Sequence, residues 1–399
     1  MRWKISEFEE VDVVEELDSL GHRTGVEIEG DSGPAAEQLG DAIRKPFNPE
    51  LIDVITRNPT VDLLLSRLRG EQLDLQPDFQ RRAGIWKPRA KSRLIESLLL
   101  RIPLPTFYAA EGDDEVWSIV DGIQRLTSIV EFIEPALIDS EPMRLTDLEY
   151  LDGDFDGASF EDLPGRLQTR LRETELVVHL IRRGTPEEVK FNIFARINIG
   201  GLPLSQQELR HALIPGKGRS ILRDWAESDA FRSATGHSVR SERMADREMI
   251  LRFLAFRLTD PHTYAEDDFD RFLRESMRRL NTLSSGEVDR LWLQFEKAMH
   301  AAEDIFGGYA FRKLDRRGRG RRLPINKALF EAVAVNLAIS SNGRIDILVH
   351  RQHKVEKAFQ SLMREVDFQA AISQGTGDRT KVRYRFAAVR DTLAEVAEA

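Results

Sequence analysis

The chain contains no cysteine among its 399 residues, which excludes disulfides, thiolate metal sites and cysteine nucleophiles. It also has no run close to the roughly 20 consecutive apolar residues that a membrane-spanning helix needs. Its first ten residues, MRWKISEFEE, lack the apolar core and the cleavage site of a signal peptide. We therefore expect a cytoplasmic protein with no membrane partner.

An excess of positive charge is also missing, since the formal net charge is −9. The whole molecule therefore does not attract nucleic acid, and DNA contact would have to come from local basic patches. One patch is the Gly-rich run 312–322, and the other is 379–385, where basic residues alternate as on one face of a strand. The alternative is that these residues are solvated and balance the acidic start of the chain. The candidate DNA-binding residues are Arg316, Arg317, Arg319, Arg321, Arg322, Arg379, Lys381 and Arg383.

The length of the chain indicates two or three domains. Residues 1–50 are acidic and weakly periodic, which is typical of a partly ordered arm. Residues 51–215 mix helical and strand patterns, and residues 216–399 show recurring helical periodicity. The sequence thus predicts an α+β protein, with a mixed α/β N-terminal domain followed by an all-α helical C-terminal domain.

Particular elements follow from apolar spacing and from turn residues. In the mixed region, Gly70 and Pro103 end helices, and strands are expected on both sides of an acidic turn at 112–115. The predicted helices are 61–68, 87–99, 122–133, 186–197, 241–258, 267–281, 285–306, 325–340 and 344–364, and the predicted strands are 106–110, 116–120 and 175–181.

The segment Asp121–Arg125 joins a predicted buried strand directly to a helix. Gly122 allows a tight turn, and the N–H groups of the first helical turn can bind an anion. The guanidinium of Arg125 could grip a phosphate through two hydrogen bonds, with Gln124 and Thr127 as neutral donors. The alternative is that Arg125 pairs with Asp121 and only fixes the turn.

Two other blocks carry polar groups suited to the same ligand. Gln80 and Arg81 follow a Pro-Asp turn, and they either add donors for the anion or hold a loop against Trp86. Asn198 and Glu208 offer oxygen ligands for a divalent cation such as Mg²⁺. The simpler interpretation is that Glu208 is the capping-box partner of Ser205, three residues earlier.

The three blocks together resemble the N-terminal domain family of GmrSD-type modification-dependent restriction enzymes, which is marked by an Asp-Gly-Gln-Gln-Arg motif. Here the motif is Asp121 to Arg125, with Ile123 in place of the first Gln. The flanking blocks are Pro77 to Arg81 and Arg196 to Arg210. The family is similar in turn to the ParB/sulfiredoxin-like superfamily, which implies that fold for residues 51–215.

The resemblance implies a nucleotide triphosphate as ligand, with phosphates at Gly122, Gln124 and Arg125 and Mg²⁺ near Asn198. Asp121, Gln124 and Arg125 would then be the catalytic residues of an NTPase. It also implies a DNA-associated role in a bacterial restriction or anti-phage system, as a homo-oligomer or beside a separate nuclease or other defence subunit.

Two alternatives remain open beside this function. The chain could be a non-catalytic DNA- or protein-binding module in which the Asp-Gly turn is structural. It could instead be a nuclease that acts through Asp121 and Glu208. The sequence has no His-x-x-Pro nuclease block, so DNA cleavage by this chain alone is not expected.

Overall fold

The chain divides into two compact units, with the division between Leu213 and Ile214. The mixed unit contains residues 39–213, and the helical unit combines residues from 214 onward with the start of the chain. The computed structural model describes residues 13–17, 22–29, 49–75, 86–112, 114–197, 204–241, 243–314 and 322–399.

The described strands are β1 (Glu15–Leu17), β2 (Arg23–Glu27), β3 (Val54–Arg57), β4 (Leu73–Asp74), β5 (Phe107–Glu111), β6 (Trp117–Asp121) and β7 (Val178–Ile181). The described α-helices of the mixed unit are α1 (Val61–Arg69), α2 (Pro88–Leu99), α3 (Ile123–Ile133), α4 (Asp152–Phe155), α5 (Gly165–Glu173), α6 (Glu187–Ile197) and α7 (Gln206–Leu213). Those of the helical unit are α8 (Lys217–Glu227), α9 (Asp229–Ala234), α10 (Ala245–Leu258), α11 (Phe269–Thr282), α12 (Ser285–Phe306), α13 (Lys327–Ile339), α14 (Asn342–His350), α15 (Gln352–Leu362), α16 (Val366–Ser373) and α17 (Arg379–Glu398).

The mixed unit is built on a five-stranded sheet with the order β3-β7-β5-β6-β4. Strand β5 is central, antiparallel to β6 and parallel to β7, while β4 is parallel to β6. Helix α7 packs against β6. The carboxyl ends of β4 and β6 therefore lie at the same edge of the sheet, beside the start of α3.

The predicted helices near this edge begin and end where their sequence signals indicate. The side chain of Thr60 caps α1 by accepting a hydrogen bond from the N–H of Leu63, and the helix ends at Gly70. Helix α3 directly follows β6 and buries an apolar face that includes Leu126 and Val130. The predicted strand–turn–helix at Asp121–Arg125 is confirmed.

Helix α13 forms the centre of the helical unit. Every residue from Ala328 to Ala338 is buried, and α13 packs against α10, α12 and α17. Asn326 caps the helix, with its side-chain oxygen 2.7 Å from the N–H of Leu329. A helix buried on all sides lacks an amphipathic pattern, which is expected at the centre of a helical domain.

Residues 15–17 and 23–27 near the start of the chain form a two-stranded sheet within the helical unit. Strands β1 and β2 are antiparallel, and Val26 is fully buried. The N–H of Glu27 donates to the carbonyl of Ile325 at 2.8 Å. The structure thus groups these residues with the helical unit, where the sequence suggested a separate arm.

The strand expected at 379–385 is wrong, because this segment forms the first part of α17. The side chain of Asp378 caps the helix by accepting from the N–H groups of Thr380 and Lys381. The apolar residues that follow are spaced for a helix and are buried, so burial of this face outweighs the local alternation of charge. They are Val382, Phe386, Val389, Leu393 and Val396.

Buried ion pairs connect the N-terminal strand pair to the helices. Both Nη atoms of Arg252 lie 2.8 Å from the carboxylate of Glu29, and its Nε lies 2.9 Å from Glu248. Burial opposes the charged form of Arg252, but the carboxylates of Glu29, Glu248 and Glu331 raise its pKa. Residue 29 is thereby held to a helix more than 200 positions away in the sequence.

A second buried pair joins α13 to α17. Arg385 is fully buried and donates to the equally buried carboxylate of Glu331 and to the carbonyl of Thr376. Burial raises the pKa of Glu331, although Arg385 and Arg252 act in the opposite direction. The two charges must therefore stay paired, since neither has water to replace its partner.

The predicted fold class is confirmed: a mixed α/β N-terminal part is followed by a mostly helical C-terminal part. None of the described helices is long and apolar enough to cross a membrane.

Neutralising Glu331 should destabilise the helical unit strongly. We expect Glu331→Gln to lower the free energy of unfolding by about 3–5 kcal/mol, because it leaves Arg385 buried without a charge partner. The matched control is Glu398→Gln, whose exposed carboxylate lies 3.5 Å from Arg344 and should contribute less than about 1 kcal/mol. Urea unfolding followed by circular dichroism measures both, and equal losses in the two variants would contradict this account.

Candidate functional site

The turn between β6 and α3 is set by the backbone of Gly122. Gly122 has φ +91° and is the N-cap of α3, where no side chain caps the helix. A Cβ atom at this position would lie 2.4 Å from Cδ1 of Phe107, so a side chain would clash with that ring. Gly122 is thus required both by its left-handed backbone and by the close approach of β5.

Arg125 is held by acceptors of the protein itself. Its Nη2 lies 3.0 Å from Oδ2 of Asp121 and 3.1 Å from the carbonyl of Thr106, while its Nη1 donates to the carbonyl of Pro105. Its guanidinium carbon lies 4.5 Å from the centre of the Phe107 ring. The turn, the ring and the guanidinium therefore form one packed arrangement.

The exposure of these groups differs along the turn. The side chain of Arg125 is 13% exposed, whereas that of Asp121 is 35% exposed. Burial lowers the pKa of Arg125, and the charge of Asp121 opposes this shift. The carboxylate of Asp121 is therefore more accessible to solvent than the guanidinium of Arg125.

The neutral donors predicted beside Arg125 take different positions. Thr127 is buried, and its hydroxyl donates to the carbonyl of Ile123 at 2.7 Å within α3. Gln124 is half-buried in the first helical turn. The Thr127 hydroxyl is therefore bonded within the helix, whereas Gln124 lies in the first helical turn, next to the Asp121–Arg125 turn.

Glu208 takes part in the capping box at the start of α7. Its carboxylate lies 2.5 Å from the backbone nitrogen of Ser205, and its own N–H donates to the Ser205 hydroxyl at 3.1 Å. Both carboxylates that the nuclease hypothesis needs, Asp121 and Glu208, are thus engaged in protein contacts. Within the described ranges, no group of three or more His, Asp or Glu side chains is arranged to hold a metal ion.

Several predicted site residues lie outside the described residues. These are Gln80, Arg81 and Asn198 for the nucleotide and cation, and Arg316, Arg317, Arg319 and Arg321 for DNA.

The remaining basic candidates contact their own chain. Arg322, Arg379 and Arg383 are exposed and Lys381 is half-buried. Arg379, Lys381 and Arg383 do not share one strand face as the sequence suggested, because they lie on a helix. The partners of these basic residues are the carbonyl of Thr235 for Arg322, Asp267 for Arg379, the carbonyl of Gln374 for Lys381 and the carbonyl of Tyr264 for Arg383.

Sequence reasoning missed the β5 side of the site. Pro105, Thr106 and Phe107 give Arg125 two main-chain acceptors and a ring, but carbonyls have no residue signature in a sequence. The pairing of β5 with β6 was visible as two strands around an acidic turn. That pairing brings the start of β5 back to the end of β6, so the start of β5 could have been included.

A comparison with protein-family models found a match within and just beyond the mixed unit. Residues 62–215 match the family model of the GmrSD restriction endonuclease, N-terminal domain. This region is thus similar in sequence to the GmrSD N-terminal domain family. A comparison with curated proteins found no match.

The GmrSD N-terminal domain as matched begins inside α1 and ends two residues after α7. It includes the whole Asp121–Arg125 turn, while the edge strand β3 precedes it. The family is described as the N-terminal domain of a restriction endonuclease.

Substitution of Gly122 should show how tightly the turn is packed. We expect Gly157→Ala to lower stability by about 1–2 kcal/mol, because Gly157 also has a positive φ (+78°) but has open space around it. Gly122→Ala should cost a further 1–3 kcal/mol or so, because its methyl group also meets Phe107. Urea unfolding of both variants measures the difference, and equal losses would show that Phe107 gives way freely.

Proposed function

We propose that this chain is a nucleotide-binding component of a restriction or anti-phage system. The phosphates of a nucleoside triphosphate would bind at the N-terminus of α3, within the Asp121–Arg125 turn. The observation that carries this proposal is the left-handed Gly122, which begins α3 without a side-chain cap directly after a buried strand. A helix start of this kind suits an anion, because its N–H groups and dipole favour negative charge.

Arg125 would support this site as a positioning residue. Its guanidinium is already held by Asp121 and by the carbonyls of Pro105 and Thr106, so the helix N–H groups would be the direct phosphate donors. Its positive charge still lowers the energy of an anion nearby. Removing it would cost the site both its charge and the shape of the turn.

The negative charge of Asp121 would repel the phosphates of the same ligand. Its carboxylate is part-exposed beside the helix start, and like charges repel. Mg²⁺ bound nearby would relieve that repulsion, and the sequence predicts Asn198 and Glu208 as its ligands. Gln80, Arg81 and Asn198 remain predicted contributors to this site.

The contacts of Arg125 also favour a second function. If the turn is only structural, the chain is a non-catalytic DNA- or protein-binding module, and its ion pair serves to fix β6 and α3. The three protein acceptors around the guanidinium are the specific observation for this alternative.

A panel of ATP, GTP, CTP and UTP with and without Mg²⁺ separates the two functions. A bound ligand at 100 times its dissociation constant should raise the stability by about 2.7 kcal/mol in a thermal-shift assay. We expect Arg125→Ala to weaken binding at least about tenfold, which corresponds to the loss of a charged contact. Phosphate release in the same samples tests hydrolysis.

The matched control is Arg170→Ala, since Arg170 also donates to a main-chain carbonyl, that of Leu99, but far from Gly122 in the sequence. It should bind nucleotide as the wild type does. Asp121→Asn should bind more tightly without Mg²⁺, by about fivefold, because it removes the repelling charge and keeps an acceptor for Arg125. If no nucleotide stabilises the wild-type protein, the structural alternative stands.

A further inference from the structure

A row of polar and aromatic residues crosses the sheet beside the turn. Asp121 of β6 pairs with Tyr108 of β5, next to an irregularity in the β5–β6 register between Tyr108 and Ala109. Tyr108 pairs with His179 of β7, and His179 pairs with Thr56 of β3. Adjacent strands are about 4.8 Å apart, so His179 lies about 10 Å from Asp121 along the row. The row therefore leads from the proposed phosphate end of the site across the sheet.

Tyr108 and His179 form a fixed aromatic pair in this row. Their ring centres are 5.1 Å apart, with planes tilted by 41°. Nδ1 of His179 lies 3.0 Å from the Thr56 hydroxyl, which fixes the orientation of the imidazole. Two rings held in this way offer a preformed apolar surface with polar edges.

At this row, one face of the sheet becomes partly exposed to solvent. On that face, Ala110 and Ile181 in the next pair are buried, but Tyr108 and His179 are only half-buried. The residues on the opposite face, Phe107 and Val178, are buried to 1% exposure. The aromatic pair is thus part-exposed, on the face of the sheet opposite Phe107 and Val178.

We propose that Tyr108 and His179 form the binding surface for the base of the nucleotide whose phosphates lie at the Gly122 turn. The inference rests on the proposed function and adds to it the part of the ligand that these residues recognise. Aromatic side chains stack on any nucleobase, so the pair supplies affinity with little choice of base. His179 lies two strands from Asp121, which places it toward the nucleoside and away from the phosphates.

The test compares ATP and GTP with inorganic tripolyphosphate, which has the phosphates without the base. We expect Tyr108→Ala and His179→Gln each to weaken ATP and GTP binding about tenfold and to leave tripolyphosphate binding unchanged. Tyr108→Phe keeps the ring and should bind nucleotide nearly as the wild type does. Tyr150→Ala, at an exposed tyrosine of the same unit, is the control and should change neither ligand.

The outcomes distinguish the role of the aromatic pair from the proposed binding of phosphates at the Gly122 turn. Equal weakening of nucleotide and tripolyphosphate, or no change in either, would overturn the role of the aromatic pair while phosphate binding stands. A wild-type protein that binds neither ligand would overturn the proposed function and this inference with it. Retained binding in Tyr108→Phe excludes a role that depends on the tyrosine hydroxyl.

Discussion

The close contact between Gly122 and Phe107 determines the geometry of the mixed unit at the end of β6. Because residue 122 has no side chain, its backbone lies against the ring and α3 begins directly after the strand. Arg125, one turn later, then lies over the same ring and reaches the carbonyls of Pro105 and Thr106. The direction of α3 and the position of its N–H groups both depend on this contact.

Elements with strong local signals could be predicted from the sequence, and elements formed by distant partners could not. Helix α1 has its cap and its terminating Gly70 in the sequence, and β5 and β6 surround an acidic turn. Strand β3 has four residues, and its partner β7 lies more than 120 positions away. Alternation over so few residues is not distinctive, and the pairing that stabilises β3 has no local trace.

Charge patterns were the least informative part of the sequence, because the same residues can be solvated or buried in pairs. The acidic start of the chain suggested a solvated arm, yet Glu29 is bound by Arg252. The basic alternation near the C-terminus suggested a strand, yet Arg385 is buried against Glu331 in α17. The number of charged residues in a segment shows neither their ion-pair partners nor the desolvation they undergo. Both factors decide whether a charged side chain is buried or exposed. For the candidate site, likewise, the motif identified Asp121 to Arg125 but not the main-chain acceptors of Pro105 and Thr106 that also hold Arg125.

Thr106, just before β5, and the first two residues of β5 take part in both halves of the candidate site, because neighbours in a strand point to opposite faces. The carbonyl of Thr106 binds Arg125, the ring of Phe107 supports Gly122 on the buried face, and Tyr108 meets His179 on the open face. A shift of β5 by one residue would exchange the two faces and remove the turn's support and the aromatic pair together. The register of β5 against β6 and β7 is therefore the single arrangement that places a helix start and an aromatic surface beside each other. A ligand that used both would combine an anionic group with a flat ring, as the proposed nucleotide does.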